Sequence, residues 1–417
     1  MIAELCERFA ITGRVREAAL VAERQTATLT YDAQQRVQRK VLAAFLDEGI
    51  SESDLAGTTG YGYDDAARAR YESLLARVLG AQRVIARLSI VSGTHAIVAA
   101  LAACTPRGTT LLSISGRPYD TLRNAICDAP HCLAGEGIEY REVALTADGA
   151  IDLPAVQKEL RASEKATVFI QRSRGYAPRR SLSVEECEAA YATVKNVAPD
   201  VLVLVDNCYG ELVEEREPAE AGADLIMGSL IKNLGGSIAP AGAYVAGDGE
   251  LVERVAARLF APGLGAALGP TLGFGRAFMQ GLFLAPLVVE QTLRGLDFIA
   301  ALFGALGYGV DPLAGARRTD IVQAIRLGTA GRLERFAAGL QTAMPVNARF
   351  TPVPGAVPGY SDPVLMSSGA FVAGATIELS CDAPLRPPYE VYVQGGVLAA
   401  HAYLGGLFAA RALELSS

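Results

Sequence analysis

The sequence is poor in the residues that most metal, redox and serine-nucleophile chemistries require. It has three histidines, His95, His131 and His401, and no H-x-x-x-H or Cys/His cluster, so a zinc site of ordinary ligand spacing is not expected. Seven cysteines (6, 104, 127, 132, 187, 208 and 381) form no C-x-x-C. An odd, scattered set reads as reduced thiols in a cytosolic enzyme, not as a disulfide framework. No G-x-S-x-G elbow precedes a helix, which argues against serine-triad hydrolysis. No G-x-G-x-x-G follows the first apolar strand, which argues against a nicotinamide-binding Rossmann unit. Basic runs are missing too: the net charge is −7 and the pI about 5.3, so neither nucleic acid nor an anionic membrane surface is an expected partner. The first twenty residues mix acids and bases with apolar residues and lack the unbroken apolar core of a secretory signal. The most apolar long stretch, 281–304, carries Glu290, Arg294 and Asp297. It reads as a buried core helix, not a membrane span. A soluble, cytoplasmic protein is expected, without internal repeats or low-complexity segments.

What is present is a large apolar fraction. The chain has 417 residues, 51% of them hydrophobic and 20% charged, enough for an extensive core. Residues 33–47 place Val37, Val41, Leu42 and Phe45 on one helix face. A glycine-rich segment, 57–68, interrupts, and a helix at 65–79 follows with Asp64 and Asp65 near its positive end. From 84 to 246 strands and helices alternate: candidate strands are 84–91, 109–114, 138–145, 166–171, 201–206, 224–228 and 242–246. Helical patterns at 94–103, 119–127, 153–163 and 184–195 lie between several of them. Such alternation predicts an α/β fold with a mostly parallel sheet covered on both faces. A long helical region follows at 270–306, then strand-like pieces at 347–352 and 370–380 and a final helix. The expected organisation is an N-terminal helical segment (1–48), a large domain (49–305) and a smaller C-terminal α+β domain (306–417) against which the N-terminal segment packs.

Chemistry on a parallel sheet sits where strands run into loops, and three segments lie there: SGTHA (92–96), LVDNCYGE (204–211) and GSLIKNLGG (228–236). Asp206 ends an apolar strand. It suits a helix cap or turn, and equally a carboxylate facing the protonated ring nitrogen of pyridoxal phosphate, which needs that partner to act as an electron sink. Lysines are usually solvated, yet Lys232 sits among apolar and glycine residues. Burial there would lower its pKa and fit it for imine formation. Ser229 can offer a hydroxyl to phosphate. Gly93 and Thr94 open a helix whose free N–H groups suit an anion, although a small-residue cap explains them as well. His95 would face a ring or simply pack. Tyr119, in SGRPYDTL, would stack on a pyridine ring or fill space between strand and helix. Each feature alone is weak; their order along the chain (phosphate turn, aromatic, Asp, then Ser-x-x-Lys) is the strong signal.

These residues resemble the methionine γ-lyase-like pyridoxal-phosphate proteins, also labelled aluminium-resistance proteins, which are relatives of the cystathionine lyases. The matching pieces are GTTGYGYDD, SGTHAI, SGRPYDTL, IQRSRGY, VDNCYGE, GSLIKNLGG and YVQGG, spread from residue 57 to 396. The resemblance implies the fold-type I (aspartate-aminotransferase-like) architecture and a homodimer or homotetramer with shared active sites. It implies Lys232 as the Schiff-base lysine, Asp206 as the ring-nitrogen partner, Gly93, Thr94 and Ser229 on the phosphate, and Tyr119 over the ring. Tyr61 or Tyr63 would reach the phosphate of the neighbouring subunit, and Gln171 would approach the phenolic oxygen. The chain departs from the related lyases at Glu378, which stands where they carry a carboxylate-binding Arg, and in VLAAHAYLGG after YVQGG. Arg386 and Arg174 are the candidates for the substrate carboxylate.

The expected reaction is elimination of a γ or β group from an L-amino acid, with Lys232 taking the Cα proton and Tyr119 assisting departure. The expected leaving group is a thiolate, with halide or an oxygen ester open to the same steps. γ-Replacement, aldol cleavage and transamination use the same core residues. A metal-tolerance or binding protein without turnover is the reading from another class; the absence of a Cys/His or dense acidic motif weighs against it.

Overall fold

The structure is a computed structural model and describes residues 1–414. Seven strands form one sheet: β1 (Arg83–Arg87), β2 (Thr110–Ser113), β3 (Glu139–Glu142), β4 (Ala166–Gln171), β5 (Leu202–Asp206), β6 (Leu225–Ser229) and β7 (Ala243–Gly247). Their spatial order is β1-β7-β6-β5-β4-β2-β3, and β7 alone runs against the rest. Helices cover both faces, so Val203, Leu204 and Val205 are all fully buried. That burial explains why the strand reads as an unbroken apolar run instead of alternating. Register fixes what comes next. Gln171 lies opposite Asp206, and Asp206 opposite Met227, two residues before Ser229. Three polar side chains therefore close three neighbouring strands on the same edge.

The second sheet is antiparallel throughout, with the order β10-β11-β12-β9-β8. Its strands are β8 (Gly309–Asp311), β9 (Val322–Arg326), β10 (Val364–Ser368), β11 (Ser380–Pro384) and β12 (Glu390–Gln394). The helix Gly275–Ala305 runs between the two sheets' regions and packs against the N-terminal helices Gly13–Thr26 and Asp32–Glu48 and the C-terminal helix Ala399–Glu414. Its charged residues are partnered: Arg294 bonds Glu290, and Asp297 pairs with Arg318 and accepts from Tyr31. Among the described residues no helix is long and apolar enough to cross a membrane.

The structure corrects four expectations. Residues 347–352 and 370–380 are not strands; the strands lie at β10 and β11 instead. In the second segment Ala375, Ile377 and Leu379 are buried while the residues between are less so, giving a period of two without a ladder. Turns make this path, and Glu378 fastens it by accepting from the Phe371 and Val372 N–H groups. The first strand ends at Arg87, and Val91 is 75% exposed. Leu42 is also exposed, and Gln34 and Ala44 take its place on the buried face beside Val37 and Val41. The helix expected from 65 begins one residue later, at Ala66, with Asp65 as its cap and Asp64 just before it, near the positive end as expected.

Candidate active site

The strand-end residues meet around a cavity of about 290 Å³ lined by Ser92, Thr94, Tyr119, Asp206, Ser229 and Lys232, among others. Gly93 and Gln171 also lie in this lining. Ser92 caps the helix Gly93–Cys104 by accepting from the His95 N–H at 3.1 Å. The Gly93 and Thr94 N–H groups have no partner among the described residues, as the geometry of a helix start requires. A Cβ at Gly93 would lie 3.2 Å from Cys208 Sγ, so any larger residue here would press on that side chain. The result is a bare pair of amide donors at the positive end of a helix, beside the Ser229 hydroxyl, which is an anion site in waiting. His95 is exposed and does not line the cavity.

Tyr119 is held at two points. Its hydroxyl lies 2.7 Å from Thr94 Oγ1, and its N–H donates to Gln171 Oε1 at 2.8 Å. Gln171 also donates to the Ser173 carbonyl, so both ends of its amide are engaged and it serves here to position Tyr119. Burial, reinforced by Asp206, pushes the Tyr119 phenol well above its ordinary range, so it remains protonated.

Asp206 is buried and accepts from the Cys208 N–H at 3.0 Å. Desolvation raises its pKa, and Lys232 opposes the rise. Lys232 is half-buried, makes no ion pair among the described residues, and has its Nζ 3.7 Å from the centre of the Tyr209 ring. Burial pulls the amine down, as the sequence suggested. The surrounding Cys208, Tyr209, Asp206 and Tyr119 groups outweigh that effect, and the net displacement is upward. The expectation of a lowered amine pKa is therefore reversed in this pocket.

The turn carrying Asp206 is braced from beneath. Fully buried Arg172 pairs with Glu214 and donates to Asn207 Oδ1 at 2.8 Å, and Asn207 donates to Glu217 at 2.8 Å. Gly210 is required because a Cβ there would come within 2.4 Å of Arg172 Nη1. Asn233, next to Lys232, donates to the Tyr209 and Glu211 carbonyls. Tyr209 and this brace escaped the sequence reading. The Tyr-Gly pair at 209–210 was the available signal, and the structure puts Tyr209 at a positive φ of 70°.

The remaining candidates fall outside this centre. Arg386 and Arg174 line an adjoining cavity of about 430 Å³ that shares Tyr119, Tyr176 and Tyr360 with the first. Arg386 pairs with Asp120 at 3.0 Å, whereas Arg174 is buried and committed to Asp311. Arg179, not anticipated, donates to the Gln171 and Ser173 carbonyls. Its Nε and Nη1 atoms are buried without partners, and desolvation lowers its pKa to about 10. Tyr61 and Tyr63 are 74% and 59% exposed. Their loop is anchored by Asp65, which accepts from Thr58 N–H and Thr271 N–H, both at 2.8 Å, and from both hydroxyls. Although burial opposes ionisation, these bonds hold Asp65 at about 2. Gly62 lies so close that a Cβ would be 2.4 Å from Pro270 N.

A mostly parallel sheet carrying this constellation at its strand ends, with a second antiparallel sheet beside it, defines the class: a fold-type I enzyme of the pyridoxal-phosphate kind. The likeness extends in fold to the pyridoxal-5'-phosphate dependent protein YhfS of Escherichia coli, at 18% identity and a TM-score of 0.61 over 92% of this chain and 95% of that one. The chain belongs to the methionine gamma-lyase family, whose model matches residues 14–413. It is 42% identical over 371 residues, 88% of each chain, to the uncharacterized protein YnbB of Bacillus subtilis. The structure of a carbon-sulfur lyase involved in aluminum resistance from Clostridium novyi NT is 39% identical, with a TM-score of 0.92 over 98% of both chains. The family implies pyridoxal phosphate, and the residues fit it: free amide donors and a hydroxyl for the phosphate, a buried acid for the ring nitrogen, and an unpaired amine between them.

Proposed function

We propose that this protein is a pyridoxal-phosphate-dependent lyase that removes a γ or β substituent, a thiolate foremost, from an L-amino acid. The observation that carries the reading is the meeting of Lys232, Asp206, Tyr119, Ser229 and the bare Gly93–Thr94 amides around one cavity. Lys232 would hold the cofactor's aldehyde, Asp206 its ring nitrogen, and Gly93, Thr94 and Ser229 its phosphate. When bound, the cofactor supplies an electron sink for the pair left by a departing Cα proton. Lys232 Nζ takes that proton, and for a γ leaving group it must hand the proton back to the bound substrate and cofactor before it can take a second from Cβ. Tyr119, kept protonated by burial, gives its Oη proton to the departing sulfur. Asp206 would be held ionised, against the effect of burial, by the ring nitrogen's positive charge, and the Arg172 brace keeps its turn from moving.

Arg386 is the better of the two arginines for the substrate carboxylate: both line the adjoining cavity and both are paired, but the Arg386 side chain is partly exposed while that of Arg174 is buried against Asp311. The exposed loop of Tyr61 and Tyr63 supports a homodimer or homotetramer in which one of them completes the neighbour's phosphate site. Seven free cysteines are in keeping with a cytoplasmic enzyme.

Lys232→Ala decides the matter. The purified variant is expected to lose the visible absorbance of the lysine-bound cofactor and to lose at least ~10³-fold in thiol release, the scale of a general base. Full activity in that variant overturns the proposal.

A further inference from the structure

The cavity does not end at Lys232. Tyr176, Tyr209, Met366 and Gly374 line it and also line a second cavity of about 510 Å³. Strand alternation builds the wall of this second space. Met366 pairs with Asp382 and Ser368 with Ser380, all on the face opposite the fully buried Cys381 and Ala383. Asp382 is the only charged side chain in the lining; neither lysine nor arginine contributes. It is 8% exposed. Its Oδ2 accepts from the Tyr176 hydroxyl at 2.6 Å and from Gln394, while its Oδ1 accepts from no described residue. Ser380 Oγ and Thr376 Oγ1, in the same lining, are buried without partners.

We propose that this 510 Å³ cavity is the subsite for the departing group, and that it selects a group bearing an ammonium and no carboxylate, with Asp382 as the counter-ion. The inference rests on the elimination reading above and narrows its substrate class to amine-bearing thioethers. The unpartnered Asp382 Oδ1 gives an ammonium its acceptor and its counter-charge at one atom. Tyr176 and Tyr209 add aromatic surface, which also favours a cation. Burial raises the Asp382 pKa, and an entering cation would hold the carboxyl ionised. A carboxylate tail would set a second negative charge beside Asp382, with no lysine or arginine in the lining to offset it. A leaving group ending in a whole amino acid is therefore disfavoured against a plain amine, and the Arg386 side of the site is left to the substrate's own carboxylate.

The test is calorimetric binding to the intact holoenzyme, using blocked substrates that cannot react. N-acetyl-S-(2-dimethylaminoethyl)-L-homocysteine carries a cation that cannot condense with an aldehyde. N-acetyl-S-(3-methylbutyl)-L-homocysteine is its neutral isostere. The amine is expected to bind at least 10-fold more tightly, and Asp382→Asn to erase the difference. Tyr176→Phe, which leaves the charge in place, is expected to keep it. Equal affinities in the wild type, or a preference that survives Asp382→Asn, overturn the subsite. The wild-type pair decides alone if the Asn variant does not fold. Thiol release from S-(2-aminoethyl)-L-homocysteine and S-(2-aminoethyl)-L-cysteine is followed separately. Selective binding with no release from either, nor from methionine, defeats the lyase reading and with it the departing-group role, while the Asp382 cation site stands; release without selective binding keeps the lyase reading and overturns the cation site.

Discussion

The cavity has two walls, and they are built differently. The large-sheet wall presents strand ends: Gln171, Asp206 and Ser229 close β4, β5 and β6, and the loops that follow carry Tyr209 and Lys232. The small-sheet wall presents a strand face, with Val364, Met366 and Asp382 projecting from alternate positions of paired strands. A strand end delivers one group into a loop braced by neighbours, as Arg172 and Asn207 brace the Asp206 turn. A strand face delivers a row of groups spaced roughly 6–7 Å apart along each strand. The first arrangement suits groups that must sit beside a reacting atom. The second suits groups that measure the shape and charge of what is bound.

The most damaging way to break this comparison is at Asp206. Asp206→Asn is expected to lower kcat by about 10²–10³-fold, the scale of a lost electrostatic partner in a dry site; steady-state kinetics showing a change in KM alone would place bond-breaking elsewhere. Next comes Tyr119→Phe, expected to cost about 10²-fold. The loss should shrink as the departing thiol becomes more acidic, which a series of leaving groups would reveal. Packing of the large-sheet wall is tested at Gly228, where a Cβ would lie 2.4 Å from Glu211 Oε1 and 2.7 Å from a Tyr244 ring carbon. Gly228→Ala is expected to destabilise the fold by about 1–3 kcal/mol, read from the urea midpoint at unchanged slope.

The most gradual effect, spread over several pH units, concerns Glu211 itself, whose pKa burial raises to about 8. The folded chain then retains a proton that the unfolded chain has released. Stability should fall as pH rises from about 4.5 to about 8, by at most ~1.4 kcal/mol per unit. Glu211→Gln should flatten this part of the profile in denaturant titrations at several pH values; an unchanged slope would remove Glu211 as its source.

The same contrast explains what the sequence made legible. Strands buried on both faces leave long apolar runs, so β4 to β7 and the polar residues that end them stand out. Lys232 and Asp206 were visible because each interrupts such a run. The small sheet was hidden for the opposite reason. Its lining face is polar, so β10 and β11 look like loop, while the turns through Ala375, Ile377 and Leu379 imitate a strand's alternation. Asp382 and Tyr176 acquire meaning only when β11 is laid against the QRSRGY loop, a contact between residues 206 positions apart. Nor does charge pattern alone reveal that Cys208, Tyr209 and Tyr119 surround Lys232 closely enough to reverse the effect of burial on its amine.

Asp65 bears on how copies of the chain would come together. With five bonds converging on one carboxylate, the Tyr61–Tyr63 hairpin has its form before any neighbour arrives. Docking would then freeze little that was loose, and each tyrosine would be delivered ready-aimed, so the strength of association depends on surface fit and not on a segment that must first find its shape.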